Sequence, residues 1–482
     1  MAGITGIGGS GLDIDKTVKA LVAAERSPKQ TQLDNLEKKS TTTITSLGAV
    51  KSAMSEFQSA LSLINSPSLF QARTATSSKT DLLTATAGLK AGAGSYQIEV
   101  KSLATSSKVA LASVADSANA TFGNGTFTVK VGNTSLPAIT IDSTNNTLTG
   151  VRDAINKAGA DKGLSATIIN DSSGARLVLS STTTGAGEDI SVIAGSDDGS
   201  GSVNLSKLNF SAPASGEPDP AVGPDDSAAR IISRAESAEL TVDGLKVISK
   251  SNTVDTAIEG LTLNLKGVTA ADSPLTVGVS QDKGGVKTNI QNFVDAYNKL
   301  MGVISAETKV TPVGDGKAPV IAGLVGDAMA RGILSAVRGE LVNVPNGSSG
   351  VRSLADLGIT TQKDGTLTVD SAKLDKQLTN NFESISALFT GDTGLASRLS
   401  KRLDPYVQTG GVIEQRDKSL RSTLTTIDKQ KEALNTRMQA VEARLFKQFN
   451  AMDMMYAQLS NTASSLSASL DNMPWASGNS KK

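Results

Sequence analysis

Apolar residues near both ends of the chain recur at alternating spacings of three and four, the heptad pattern of a helix with one narrow oily seam. After Pro28, which either opens a helix or interrupts a longer one, the seam runs through Leu33, Leu36, Leu47, Val50, Met54, Phe57, Leu61 and Ile64. Ser40 and Thr43 keep the register where apolar residues lapse, and Asn65, Ser66 and Pro67 end the helix. The segment predicts a rod of roughly 55 Å. Towards the other end, Ile413, Leu420, Ile427, Leu434, Val441 and Met455 fill one heptad position, and Leu424, Met438, Leu445, Met452, Leu459 and Leu466 fill its partner. Asp417, Lys431, Gln448 and Thr462 are polar exceptions that weaken a seam and fix its register. No glycine or proline falls between positions 412 and 473, so one helix of roughly 80 to 90 Å is expected, with a shallow break possible near 460–469.

Each seam left in water forgoes about 1.5 to 3 kcal/mol per large side chain. Both must therefore be covered, and the economical solution is that the N- and C-terminal helices pack on each other, with further helices or neighbouring subunits completing the bundle. Everything between them is then an insertion. From about residue 85 the period drops to two, with alternating strands at 96–101, 127–132, 261–265 and 275–279. Hairpins are expected at 164–179, around Asp171 to Gly174, and at 238–247, around Asp243 and Gly244, with a short helix over 148–158 and a tight turn at Gly123 to Gly125. Residues 211–227, with four prolines and an acidic balance, read as an exposed loop or linker. Helical patterning resumes over 285–304, 322–342 and 371–389, with a turn at Lys363 to Thr366 between the last two.

Composition removes most chemistry. The 482 residues hold no cysteine and no histidine, which excludes disulfides, thiolate nucleophiles, zinc sites of sulfur and imidazole, and histidine-based triads. The 47 basic and 47 acidic residues balance, and aromatic content is 3%, which gives no basic field or stacking platform for nucleic acid. Gly6, Gly8 and Gly11 fit G-x-G-x-x-G, but too few residues precede them for the strand that a phosphate-binding turn requires. Asp197 and Asp198, and Asp225 and Asp226, sit in Gly/Ser/Pro-rich runs that favour solvated loops over an acid/base pair. No catalytic, cofactor or metal residues are assigned. With no Sec-type signal pattern and no membrane-length apolar run, the expectation is a protein that is cytosolic or exported by another route, without membrane insertion.

Particular stretches also carry a resemblance. Residues 7–14, 21–28 and 47–54 resemble the N-terminal signature of the flagellar hook-associated protein 2 family, the bacterial filament caps. Residues 363–374 and 388–391 continue it, and 410–413 and 440–449 look like the family's C-terminal region. Residues 141–180 are similar to a module found inside flagellins and hook-associated proteins.

The resemblance implies an α+β multidomain chain in a nested hairpin layout, with a terminal coiled coil, a helical leg domain and inserted β-rich head domains. The expected division is 1–40 with 425–482 for the coiled-coil, export and filament-contact region, and 41–85 with 284–424 for the leg. An inner head takes 86–118 with 236–283, and an outer head takes 119–235. It further implies a non-enzymatic protein secreted through the flagellar type III channel to the filament tip. Implied partners are itself in a ring, with a pentamer favoured, flagellin, the hook-filament junction proteins and an export chaperone. Candidate chaperone contacts are Leu459, Leu466, Leu470 and Trp475. The glycine-rich start becomes a leader used in export and leg contacts. The competing readings are a secreted adhesin that binds host surface glycans through the β-rich domains, and an enzyme of the Ser/Lys or paired-carboxylate type.

Overall fold

A computed structural model describes residues 13–213, 227–314, 316, 318–343 and 350–471. The glycine-rich start, most of the 211–227 loop with Asp225 and Asp226, and Trp475 lie outside the described residues. The chain divides into two compact units, Met1–Pro67 with Lys283–Lys482 and Ser68–Asp282. This is the expected α+β nested layout, with the second unit inserted into the first. The helices in chain order are α1 (Ile14–Ile64), α2 (Pro67–Gln71), α3 (Leu148–Gly159), α4 (Lys283–Glu307), α5 (Ala328–Val342), α6 (Ser371–Asn380), α7 (Phe382–Phe389), α8 (Leu395–Val407) and α9 (Val412–Asp471).

Helix α1 starts well before Pro28, where Asp13 accepts from the Lys16 N–H at 3.0 Å. Pro28 lies inside it, and burial of Val18 and Leu33 on either side outweighs the one lost backbone bond. The C-terminal half of α1 packs antiparallel to α4. Lys299 pairs with Glu56 at 2.5 Å and the Ser46 hydroxyl donates to the Glu307 carboxylate. Beyond the Glu56–Lys299 pair the Phe57 ring lies 5.7 Å from Phe293 and 6.0 Å from Tyr297, and Phe293 lies 5.8 Å from Phe389. All four side chains are fully buried.

The expected helix over 322–342 begins at Ala328, because Asp327 caps the N–H groups of Met329 and Ala330 at 2.9 and 3.1 Å. Residues before it form the foot of a short hairpin, Val310–Thr311 against Val320–Ile321, which the periodicity did not reveal. The expected helix over 371–389 is two helices broken at Asn381, whose backbone leaves the helical region. Helix α8 is likewise absent from the sequence periodicity. Its Arg398 and Arg402 hold the buried Glu340 of α5 at 3.0 and 2.9 Å, and Arg398 caps the Asn343 carbonyl at 2.9 Å. Hydrogen bonding from Arg402, against the opposing effect of burial, and then from Arg398 holds the Glu340 carboxyl below its usual 4.5.

That depressed value ties stability to acid. The contribution is complete above the ordinary glutamate value and is lost as pH falls through the lower folded one. Glu340→Gln is therefore expected to cost the helical unit about 2 kcal/mol at neutral pH. The gap from wild type should close on acidification, as read from denaturant midpoints at stepped pH.

The inserted unit has two β-rich cores. In the first, a five-stranded antiparallel sheet runs in the order Arg73–Ser77, Leu275–Gln281, Gly94–Ser102, Ala238–Val242, Leu245–Ser249. It shares a core with a three-stranded sheet of Thr253–Ile258, Leu261–Leu265 and Leu83–Ala87. Alternation decides the faces, since Ile98, Val100, Leu240, Leu263 and Val277 point inwards while their sequence neighbours do not. Asp243 (φ 48°) and Gly244 (φ 83°) make the expected hairpin turn. The strands at 73–77 and 83–87 lie ahead of the point where period-two patterning becomes recognisable.

The chain crosses to the second core after Ser102 and returns before Ala238, and Thr105 and Glu236 exchange backbone bonds of 2.9 and 3.2 Å at the crossing. This core takes in Val109, Leu111 and Val114, ahead of the expected junction at 118/119. Helix α3 buries Leu148, Val151 and Ile155, and Asn156 clamps the Ala166 backbone through both its amide atoms. Arg176 is buried and donates to Asp171 and to the Ala228 carbonyl, the latter at 2.6 Å. At Gly123 to Gly125, where a tight turn is expected, the chain bends at Asn124 and enters the strand Gly125–Val131. Asn124 is held by Asp198, which the Ser200 hydroxyl first, then the Ser200 N–H and the Asn124 amide, keep well below the usual aspartate range. The paired carboxylates at 197 and 198 thus organise a loop.

Candidate association surface of the terminal helices

The N-terminal half of α1 and helix α9 run antiparallel, and charges flanking the seam fix their register. Lys431 lies 2.6 Å from Asp34 and also binds Glu37, while Arg437 reaches Glu25 at 3.4 Å. The Asp34 bond, then the Glu37 bond, raises the Lys431 ammonium above its ordinary value, and Lys431 in turn lowers Asp34. Such partly exposed pairs add little stability, but they forbid a slip by one turn, because each acidic residue would then lose its cation. Arg416 at the start of α9 binds Asp327 at the cap of α5, tying the pair to the bundle.

Along α1 the proposed seam residues Leu33, Leu47, Val50, Met54, Phe57 and Leu61 are buried. Leu36 is not, with 43% exposure. A straight helix drifts by about 20° per heptad from a 3.5-residue repeat, and before Ser40 the covered positions follow Val18, Val22, Leu33 and Glu37 instead. Ser40 and Thr43 are buried at the positions where the spacing kept the register, and Ser46, which the spacing did not include, is buried beside them. The foot of the 310–321 hairpin crosses α1 there, and Thr43 donates to the Gly323 carbonyl at 3.1 Å. Gly323 has no room for a Cβ beside Ser46 and the Thr42 carbonyl, so small polar residues are what this crossing admits.

On α9, Ile427, Met438 and Val441 are buried and Leu420, Leu424, Leu434 and Leu445 are half-buried. Among the described residues the cover of the seam ends beyond Leu445, where the register places the first turn of α1 opposite. Met452, Met455, Leu459, Leu466 and Leu470 stand 47–64% exposed, although they continue the same seam. The candidate chaperone residues Leu459, Leu466 and Leu470 thus lie together on a free helix face among the described residues. Sequence reasoning missed the pins Glu25, Asp34, Glu37 and Arg437, because both terminal helices mix acidic and basic residues along their flanks and no charge pattern on either one marks its partner. Among the described residues no helix is long and apolar enough to cross a membrane.

Residues 10–107 match the N-terminal part and residues 235–461 the C-terminal part of flagellar hook-associated protein 2. The B-type flagellar hook-associated protein 2 of Pseudomonas aeruginosa is 47% identical over 481 residues, covering 99% of both chains. The chain belongs to the flagellar hook-associated protein 2 family. The Escherichia coli member is 33% identical over 98% of this chain and 99% of its own. The solved D1-D2-D3 domains of the Escherichia coli flagellar cap protein align with a TM-score of 0.60 at 30% identity, covering 78% of this chain and 99% of that one. Residues 126–183 match a flagellin hook IN motif, which encloses the whole stretch at 141–180 and extends ahead of it. The family is one of structural flagellar cap proteins.

Proposed function

We propose that this chain works as a structural cap at the tip of the bacterial flagellar filament, with its paired terminal helices as the part that engages filament subunits. The observation that carries this reading is that α9 outruns α1 and keeps its seam, so the helical unit ends in an apolar face that its own described residues leave open. Family membership supports the cap role, and both ends of the chain meeting in one unit suits a leg. The cap is a homo-oligomeric ring, a pentamer by family resemblance, that promotes flagellin folding and polymerisation and meets the hook-filament junction proteins. Before export the same face, with Leu459, Leu466, Leu470 and Trp475, is the contact for an export chaperone. The role is extracellular and non-enzymatic. Nothing in the fold or among the relatives favours the adhesin reading.

The test is complementation of a strain that lacks its own cap protein. Filaments should return when purified full-length chain is supplied to the cells, which bypasses export, and stay absent when a Leu459→Asp/Leu466→Asp variant is supplied instead. Equal filament length with both would remove α9 from the proposed role.

A further inference from the structure

An asparagine followed by a glycine sits at the corner where the strand Gly125–Val131 begins. Such a pair readily loses its side-chain amide, because glycine places no side chain in the way of its own nitrogen. The chain holds the pair at Asn124-Gly125 and again at Asn346-Gly347. Packing accounts for the glycine at 125, since a Cβ there would stand 3.1 Å from a Leu205 methyl and 3.4 Å from the Ser196 carbonyl. Asp198 accounts for the asparagine. The Asn124 side-chain amide donates to Asp198 Oδ2 at 2.8 Å, its backbone N–H donates to Asp198 Oδ1 at 2.9 Å, and its carbonyl accepts from the Asp198 N–H at 3.1 Å. Asn124 Oδ1 is buried and has no hydrogen-bond partner among the described residues.

We propose that Asn124 is a latent deamidation site that Asp198 holds shut while the loop of residues 195–204 is closed. In the reaction the Gly125 nitrogen attacks Asn124 Cγ, a succinimide ring closes, and the side-chain nitrogen leaves as ammonia with the proton that Gly125 gives up. Water then opens the ring at either carbonyl, so asparagine and water become aspartate or isoaspartate and ammonia. The clamp opposes ring closure in two ways. Turning the carboxamide towards Gly125 breaks its bond to Asp198 Oδ2. The negative charge of the tetrahedral intermediate develops on Oδ1, a buried atom with no donor to receive it and a carboxylate close by. Opening of the loop removes both obstacles. The product then bars reclosure, because a carboxylate at 124 faces that of Asp198. The second core thus carries a one-way record of having opened.

The experiment incubates the full-length protein at mildly alkaline pH and follows both Asn-Gly pairs by peptide mapping that resolves asparagine, aspartate and isoaspartate. At Asn124 the folded wild type should convert at least tenfold more slowly than the same chain in denaturant. Asp198→Ala should restore most of that rate, while Asn346, outside the inserted unit by sequence, converts as in wild type. Ser200→Ala removes the hydroxyl bonded to Asp198 at 2.6 Å and leaves the three Asn124–Asp198 bonds. It should give an intermediate rate, which keeps the test decisive if Asp198→Ala unfolds the core. Asn124→Asp, the product built in, should lower the thermal midpoint of the inserted unit. Equal rates in folded and denatured wild type, or a rate at Asn124 that neither Asp198→Ala nor Ser200→Ala raises, overturns the proposal. An unchanged midpoint for Asn124→Asp overturns its one-way character.

Discussion

Phe57→Ala is expected to cost the helical unit about 4 kcal/mol, the range for emptying an aromatic site in a packed core. Phe57 is fully buried and meets Phe293 of α4 at a tilt and Tyr297 edge-on, so its removal leaves a hole lined by rings that cannot all collapse into it. Tyr297 is further tethered by its hydroxyl, which donates to the Gly365 carbonyl at 2.8 Å, and this limits relaxation. The two units have separate cores and need not melt together. Calorimetry should therefore show one transition lowered by on the order of 10 °C and the other unmoved. A single transition that shifts as a whole would contradict the independence of the units, and no shift would contradict the ring packing.

Much of this fold was legible in the residues because its two periods are clean. The heptads gave both terminal helices and their mutual need, and strict alternation gave the strands at 96–101, 238–247 and 275–279. What escaped was set by tertiary contact. Helix α8 is short and its identity depends on Arg398 and Arg402 reaching Glu340 in another helix. The break at Asn381 and the late start of α5 depend on single caps, which periodicity averages away. The strand at Arg73–Ser77 reads Arg-Thr-Ala-Thr-Ser, too polar to announce a buried face, and takes its conformation from pairing with Leu275–Gln281. Of the association surface, the seam on α9 was visible, but where its cover ends was not. That point follows from the ion pairs of Lys431 and Arg437, and a register is a relation between two segments that neither carries alone.

Removal of residues 1–40 is expected to leave the inserted unit and the α4 side of the bundle folded and to abolish filament growth. The deletion takes away Val18 and Leu33 together with Glu25, Asp34 and Glu37, so Ile427, Leu434, Met438 and Val441 lose their cover and Lys431 loses both its anions. At about 1.5 to 3 kcal/mol for each large side chain returned to water, the loss exceeds what an isolated helix of this length can supply from its backbone alone. The part of α1 from Leu47 to Ile64 keeps its packing on α4, so the damage stays at one end. Limited proteolysis should then cut α9 beyond about residue 427, where intact protein resists until after 448, while the β-rich unit stays uncut in both. Supplied as purified protein to cap-deficient cells, so that export is not required of it, the truncated chain should yield no filaments where the full-length chain does, with flagellin lost to the medium. Lys431→Glu, which sets a third carboxylate beside Asp34 and Glu37 but leaves the seam apolar, should give shortened filaments, because the apolar cover and not the charge supplies most of the free energy. Normal filaments from the truncated chain would mean that the contact with the filament is made elsewhere in the molecule.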